Sequence, residues 1–321
     1  MPELKQFVES LCSDGVPVSC VLDGAQFDHL PNQLADRDLP SRALYLDRGD
    51  NHPQRVITAP QVVLLTDETE DTGPHAVAAR IDALFALTGG GPGAVFWVCP
   101  DGTGPLYRHL RGLNMVCIPR PDAAPDAIAA RSDLAFDTVL FRHADANVMA
   151  QTLPALDPAE MARVFGPATE ILAAPDPDWI DGADLLRMAR PDDLPDAPPG
   201  LLHLGAPTMA RMAELRTLRA NRITRGYLRR HLPPAYQGWS DETLDDVVVS
   251  SRASGQELGI RSKGGHQRWA YLVAVTEGKV VDQPDVRAFI QNGDRSPDAQ
   301  VREAMRETLA TLRAAASEAG A

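Results

Sequence analysis

Short apolar runs alternating with helical patterns constrain this chain most, and the alternation stops partway along. Val18-Ser19-Cys20-Val21-Leu22, Ala43-Leu44-Tyr45-Leu46, Val62-Val63-Leu64-Leu65, Ala94-Val95-Phe96-Trp97-Val98, Met115-Val116-Cys117-Ile118 and Thr138-Val139-Leu140-Phe141 read as strands. Between them lie helical spacings. Leu4, Phe7, Val8 and Leu11 open the chain as a helix. Val77, Ile81, Leu84 and Phe85 follow Pro74 and stop at Gly89, and a further helix is expected around Pro105–Leu113. Runs apolar on both faces, such as 62–65, suit central strands covered on both sides. The expectation is an α/β lobe with a mostly parallel or mixed sheet through residue 175. Residues 119–131 read as an exposed loop.

Residues 176–207 are rich in Pro and Asp and read as a linker. Beyond Pro207 the spacing is helical throughout. Thr208–Leu232 ends at Pro233-Pro234, Ser240 caps a second helix, Ser262–Thr276 carries Trp269, Leu272 and Val273, and Ser296-Pro297 opens the last. Residues 208–321 are therefore expected to form an all-α lobe. Asp157-Pro158-Ala159-Glu160 has the form of a reciprocal helix cap, and Gly166-Pro167 ends that helix.

The four cysteines show no Cys-x-x-Cys spacing, which suits a reducing cytoplasm and disfavours a zinc cluster. No apolar run reaches eighteen residues, and Met1–Lys5 lacks the pattern of a signal peptide. The net charge of −13 is unevenly spread. Residues 208–321 carry 17 Lys+Arg against 14 Asp+Glu, so the remainder carries −16. Such asymmetry suggests two faces with different partners.

Candidate chemistry is sparse. Asp23, Asp67 and Asp101 each follow an apolar strand, and in a parallel sheet such residues can converge on a Mg²⁺ ion. They can equally be turn and cap residues. Gly89–Gly93 precedes a strand instead of following one, so it reads as a helix stop rather than a phosphate cradle. His109, His143 and His203 have no nucleophile neighbour that spacing reveals. Arg211, Arg216, Arg219, Arg222, Arg225, Arg229 and Arg230 stripe the helix 208–232 against one acid, Glu214. A sequence pI near 5.0 disfavours nucleic acid and leaves a protein partner or a solvated face for this stripe. Arg142 and Asp145, at the exit of the strand 138–141, are expected to pair and lock a strand-to-helix corner.

Val21-Leu22-Asp23-Gly24-Ala25-Gln26, then Val139-Leu140-Phe141-Arg142 with Asp145, then Phe165-Gly166-Pro167 resemble the type VI secretion adaptor and chaperone proteins (domain-of-unknown-function family 4123). The resemblance covers roughly residues 18–175. Where the family usually continues with Pro and Arg after Asp145, this chain has Ala146 and Asn147. The resemblance implies a bacterial, cytoplasmic, non-enzymatic adaptor with no cofactor. Its partners would be a cognate secreted effector (a toxin) and the spike protein. Asp23, Gly24, Arg142 and Asp145 would be structural motif residues, and Arg216, Arg219, Arg222, Arg225 and Arg229 a candidate partner face. The competing reading is a Mg-dependent α/β hydrolase or phosphotransfer enzyme using Asp23, Asp67 and Asp101.

Overall fold

A computed structural model describes residues 2–45, 52–66, 73–129 and 132–319. The chain divides into two units, one up to Leu215 and one from Arg216 onward. In chain order the elements of the first unit are α1 (Pro2–Ser13), β1 (Val18–Leu22), α2 (Leu30–Ala35), β2 (Ser41–Ala43), α3 (Pro53–Thr58) and β3 (Gln61–Leu64). Then come α4 (Pro74–Thr88), β4 (Ala94–Val98), α5 (Thr103–Arg111), β5 (Met115–Pro119), α6 (Pro125–Ala129) and β6 (Phe136–Leu140). They are followed by α7 (Ala146–Thr152), α8 (Pro158–Phe165), β7 (Glu170–Ala173), β8 (Leu186–Ala189) and β9 (Leu202–His203). The helix α9 (Ala206–His231) begins in the first unit and runs on into the second.

Six strands form one sheet in the order β2-β3-β1-β4-β7-β8, and three form another in the order β6-β5-β9. Every pairing in the larger sheet is antiparallel. This corrects the expectation of a mostly parallel sheet. Among the described residues only β5 and β9, in the small sheet, run parallel, so that sheet is mixed. The reason for the error is physical. Strands β1, β4 and β7 are buried along their whole length, as in a parallel sheet, because both faces of this antiparallel sheet are covered. Successive side chains alternate between faces. Cys20, Leu22, Val63, Phe96 and Val98 meet Leu4 and Val8 of α1, Leu30 and Leu34 of α2, and Ile81 and Leu84 of α4. Val21, Val62, Val95, Trp97 and Ile171 face the other core, with Leu106 and Leu110 of α5, Met149 of α7 and Phe165 of α8.

The expected linker 176–207 is not one. It supplies β8 at the edge of the large sheet and β9 in the small sheet, so Pro and Asp here mark turns between short edge strands. The strand expected at 43–46 lies at Ser41–Ala43, and Leu46 falls outside the described residues. The loop expected at 119–131 includes the short helix α6. The strand expected at 138–141 is β6, an edge strand whose Asp137, Thr138 and Leu140 are exposed, and not a buried central one.

The second unit is helical among its described residues: the C-terminal part of α9, then α10 (Asp241–Glu257), α11 (Lys263–Val275), α12 (Pro284–Asn292) and α13 (Pro297–Ala319). Ser240 caps α10 through its side chain, as the spacing predicts, and Ser262 caps α11 in the same way. Trp269, Leu272, Ile290 and Val301 fill one core and Leu228, Leu244, Val248 and Ala274 a second. Asp298 of α13 accepts hydrogen bonds from the Arg261 and Ser262 amides (3.2 and 3.0 Å), which ties α13 to the start of α11. Among the described residues no helix is long and apolar enough to cross a membrane.

Candidate functional site

Two of the three motif segments that carry the family resemblance meet at one place. Asp23 follows β1 and caps a short 3-10 turn, its Oδ1 accepting from the Ala25 amide at 3.1 Å. Asp145 is the N-cap of α7, and its Oδ1 accepts from the amides of Asn147 (2.8 Å) and Val148 (3.3 Å). Each carboxylate therefore has one oxygen committed locally and a second turned to Arg142. The guanidinium donates through Nε and Nη2 to Asp23 Oδ2, with the Nε contact at 3.0 Å, and Nη2 lies 3.3 Å from Asp145 Oδ2. The expected Arg142–Asp145 corner is present, but the closer partner is Asp23, 119 residues away in sequence.

Two buried anions share one half-exposed cation. The side chains of Asp23 and Asp145 are 7% and 9% exposed, against 41% for Arg142. Burial pushes the Asp145 carboxyl above the usual range, while Arg142 and the two α7 amides pull it back. The backbone closes the same junction. The Asp23 amide donates to Gly93 O (3.0 Å) and the Ala146 amide to Pro92 O (2.7 Å), so the end of the Gly89–Gly93 turn is held between the two motifs. Gly89 itself has φ 56° and ends α4, as expected of a helix stop. Asn147 donates through Nδ2 to Asp176 Oδ2 (2.9 Å), and its Oδ1 accepts from the Asp176 amide (2.8 Å). Asn147 thus holds the segment after β7. Asp176 carried no signal in the sequence, because nothing local marks a partner 29 residues distant.

Gly24 is needed for close approach. A Cβ there would stand 2.5 Å from Ala59 O and 2.7 Å from the Thr58 carbonyl carbon, both backbone atoms that cannot rotate away.

The proposed carboxylate triad does not assemble around Asp23 and Asp101. Leu22 pairs with Ala94 and Val18 with Val98, so Asp23 leaves β1 at one end of the sheet and Asp101 follows β4 at the other. Five residues of strand separate those ends, roughly 15 Å at ~3.4 Å per residue. Convergence at strand C-termini requires parallel strands. Asp67 lies outside the described residues. Among the described residues no group of three or more His, Cys, Asp and Glu is placed to hold a metal ion.

The histidines singled out as bases are built into the packing. His109 Nε2 lies 2.8 Å from Val164 O, and its ring fills the space that a Cβ on Gly166 would need. His143 is 1% exposed, with Nε2 3.1 Å from Asn114 Oδ1 and its ring edge-on to Trp97. His203 lies edge-on to Phe136. Burial lowers His109 to about 4 and His143 to about 3. The unfolded chain therefore binds more protons than the native one below the ordinary histidine value of about 6.5. Stability is complete above that value and falls as pH drops towards 4. The two rings together are expected to cost about 2–3 kcal/mol between pH 7.5 and 5.5. Urea titrations across that range check this, and a flat profile contradicts it.

Glu160, expected only as a reciprocal cap, does more. It accepts from the Asp157 amide (2.9 Å) to complete the capping box, and also from the Gly205 amide and Thr208 Oγ1, both at 2.6 Å. Arg211 donates to Ala155 O at 2.6 Å. Further along α9 the arginine stripe is partly used internally. Arg225 pairs with Asp245 (2.7 Å), and Arg229 pairs with Asp241 and donates to Trp239 O, both at 2.6 Å. Arg225 and Arg229 thus bind α9 to α10 and its leading turn. Arg216 is exposed, and Arg219 and Arg222 are half-buried.

No curated protein and no solved structure matches the chain. Residues 18–163, which hold Asp23, Arg142 and Asp145, match the model of one family, described as a domain of unknown function (DUF4123).

Proposed function

We propose that this chain is a non-enzymatic adaptor and chaperone. It binds a cognate type VI secretion effector in the cytoplasm and helps load it onto the secretion spike. The observation that carries the reading is the Asp23–Arg142–Asp145 junction. Two of the three sequence motifs on which the resemblance rests are joined there, inside the segment that matches the family. The junction has the character of a strut. Each carboxylate has one oxygen on a backbone amide and the other turned to the same guanidinium, an arrangement that fixes geometry. The charge asymmetry supports the same reading, since an acidic first unit and an arginine-bearing helix offer two different contacts. The hydrolase alternative is weakened by the opposite placement of Asp23 and Asp101.

An adaptor must cover apolar surface on unloaded cargo and still release it, so its affinity for cargo must yield to that of the spike. The test is co-expression with the effector encoded beside this chain. Effector solubility and its recovery with the spike protein should both fall several-fold when this chain is omitted. Unchanged solubility and unchanged spike recovery reject the proposal.

A further inference from the structure

β6 is an outer strand, with β5 as its one neighbour in the sheet. The Phe141 amide donates to Asn114 O and the Arg120 amide to Ala135 O, both at 2.9 Å, in the register that pairs Met115 with Leu140 and Pro119 with Phe136. Antiparallel ladders alternate hydrogen-bonded and non-bonded pairs. Residues 135, 137, 139 and 141 therefore face β5, while Phe136, Thr138 and Leu140 turn their N–H and C=O groups to the outer edge. Among the described residues no backbone group bonds to that edge.

Among the described residues the edge lacks the usual protection. β6 contains no Pro and no Lys, and its single charge, Asp137, is paired with Arg120 at 2.8 Å. Its sequence, Phe-Asp-Thr-Val-Leu, favours strand pairing. Large apolar side chains flank it: Leu134 is 82% exposed, Leu140 56% and Met115 38%. Outward N–H and C=O groups that repeat every second residue, about 7 Å apart, are matched by another extended backbone. The local charge selects which kind. The segment 120–137 holds Asp122, Asp126, Asp133 and Asp137 against Arg120 and Arg131, and residues 1–207 carry −16, so a second copy would be repelled and a basic segment attracted.

We propose that the outer edge of β6 accepts an extended, basic segment of a partner polypeptide as an added strand, with apolar side chains resting on Leu134, Leu140 and Met115. The inference rests on the adaptor reading for the identity of that partner, but its geometry stands apart from it.

The probe is an eight-residue peptide of alternating Val and Lys, and the readout is hydrogen exchange at the Thr138 and Leu140 amides of the full chain. Peptide should slow exchange at both amides at least tenfold. N-methylation of alternate peptide amides should abolish that protection. Thr138→Pro should abolish it too, since it removes an outward N–H while leaving the β5 ladder intact. Should that variant fail to fold, Leu140→Ser should still weaken peptide binding. Absent protection, or equal protection by a peptide with Glu in place of Lys, overturns the proposal. Protection that rises with chain concentration without peptide assigns the edge to a second copy and also overturns it. Full effector binding by folded Thr138→Pro overturns this inference and leaves the adaptor reading standing. Peptide protection in a chain that binds no effector supports the edge and rejects the adaptor reading.

Discussion

Arg142→Ala is expected to lower the unfolding free energy by about 2–4 kcal/mol at pH 7, measured by denaturant titration. The loss comes from what remains. Asp23 and Asp145 would stay buried with their outer oxygens facing each other and no cation between them. The partial exposure of Arg142 keeps the figure below that of a fully buried pair. The pH dependence identifies the cause. Burial already raises the Asp145 carboxyl, so the native state holds its proton more tightly than the unfolded chain does. Ionised Asp145 therefore works against folding above its native value, and acidification relieves that cost. Without Arg142 the cost grows, so the deficit of the variant should be largest near neutrality and shrink as pH falls through the raised carboxylate range. A deficit that is constant from pH 7 to 4.5 would mean that lost packing, and not an unpaired charge, is responsible. If melting is unchanged but effector binding is lost, Arg142 belongs to the binding face and the strut reading is wrong.

Gly24→Ala should be as damaging, at about 3 kcal/mol, although it adds one methyl group and removes no contact. The new Cβ would lie within 2.8 Å of three backbone atoms of Thr58 and Ala59, so the turn after β1 must move away from the segment that leads into β3. Asp23 is adjacent, and a shifted turn would also misplace its carboxylate against Arg142. The Arg142→Ala and Gly24→Ala effects should therefore be less than additive. A double mutant whose loss equals the sum of the single losses would separate the two features. A tolerated Gly24→Ala, within 0.5 kcal/mol of the parent by the same titration on the order of surface substitutions, would show that residues 58–59 yield freely.

Much of the local structure is legible in the sequence. The cap at Asp157, the stop at Gly89 and the starts of α10 and α11 depend on residues within a turn or two of one another. The apolar runs also mark β1, β3, β4, β5 and β6, but the short run of β7 is not marked and the run 43–46 begins only at the last residue of β2. What they could not disclose was direction. A strand covered on both faces reads as a continuous apolar run whichever way its neighbours point, so the burial of β1 and β4 does not distinguish parallel from antiparallel pairing. The expected carboxylate triad depends on that direction, because Asp residues at successive strand ends converge when strands are parallel and separate when they alternate. The linker failed differently. Pro and Asp around β8 and β9 serve short edge strands, and composition does not distinguish an edge from a tether.

By itself the sequence determined several helix starts and stops, most of the runs that become strands, and that Arg142 and Asp145 share a corner. Those properties are set by capping, spacing and hydrophobicity over a few residues. Tertiary structure alone decided that the large sheet is antiparallel, that β6 lies on an open edge, and that Arg142 has Asp23 as its nearer partner. Each of these depends on how distant segments cross in space. A charge must find an opposite charge when buried, but the chain's path, and not its local spelling, fixes which one is within reach.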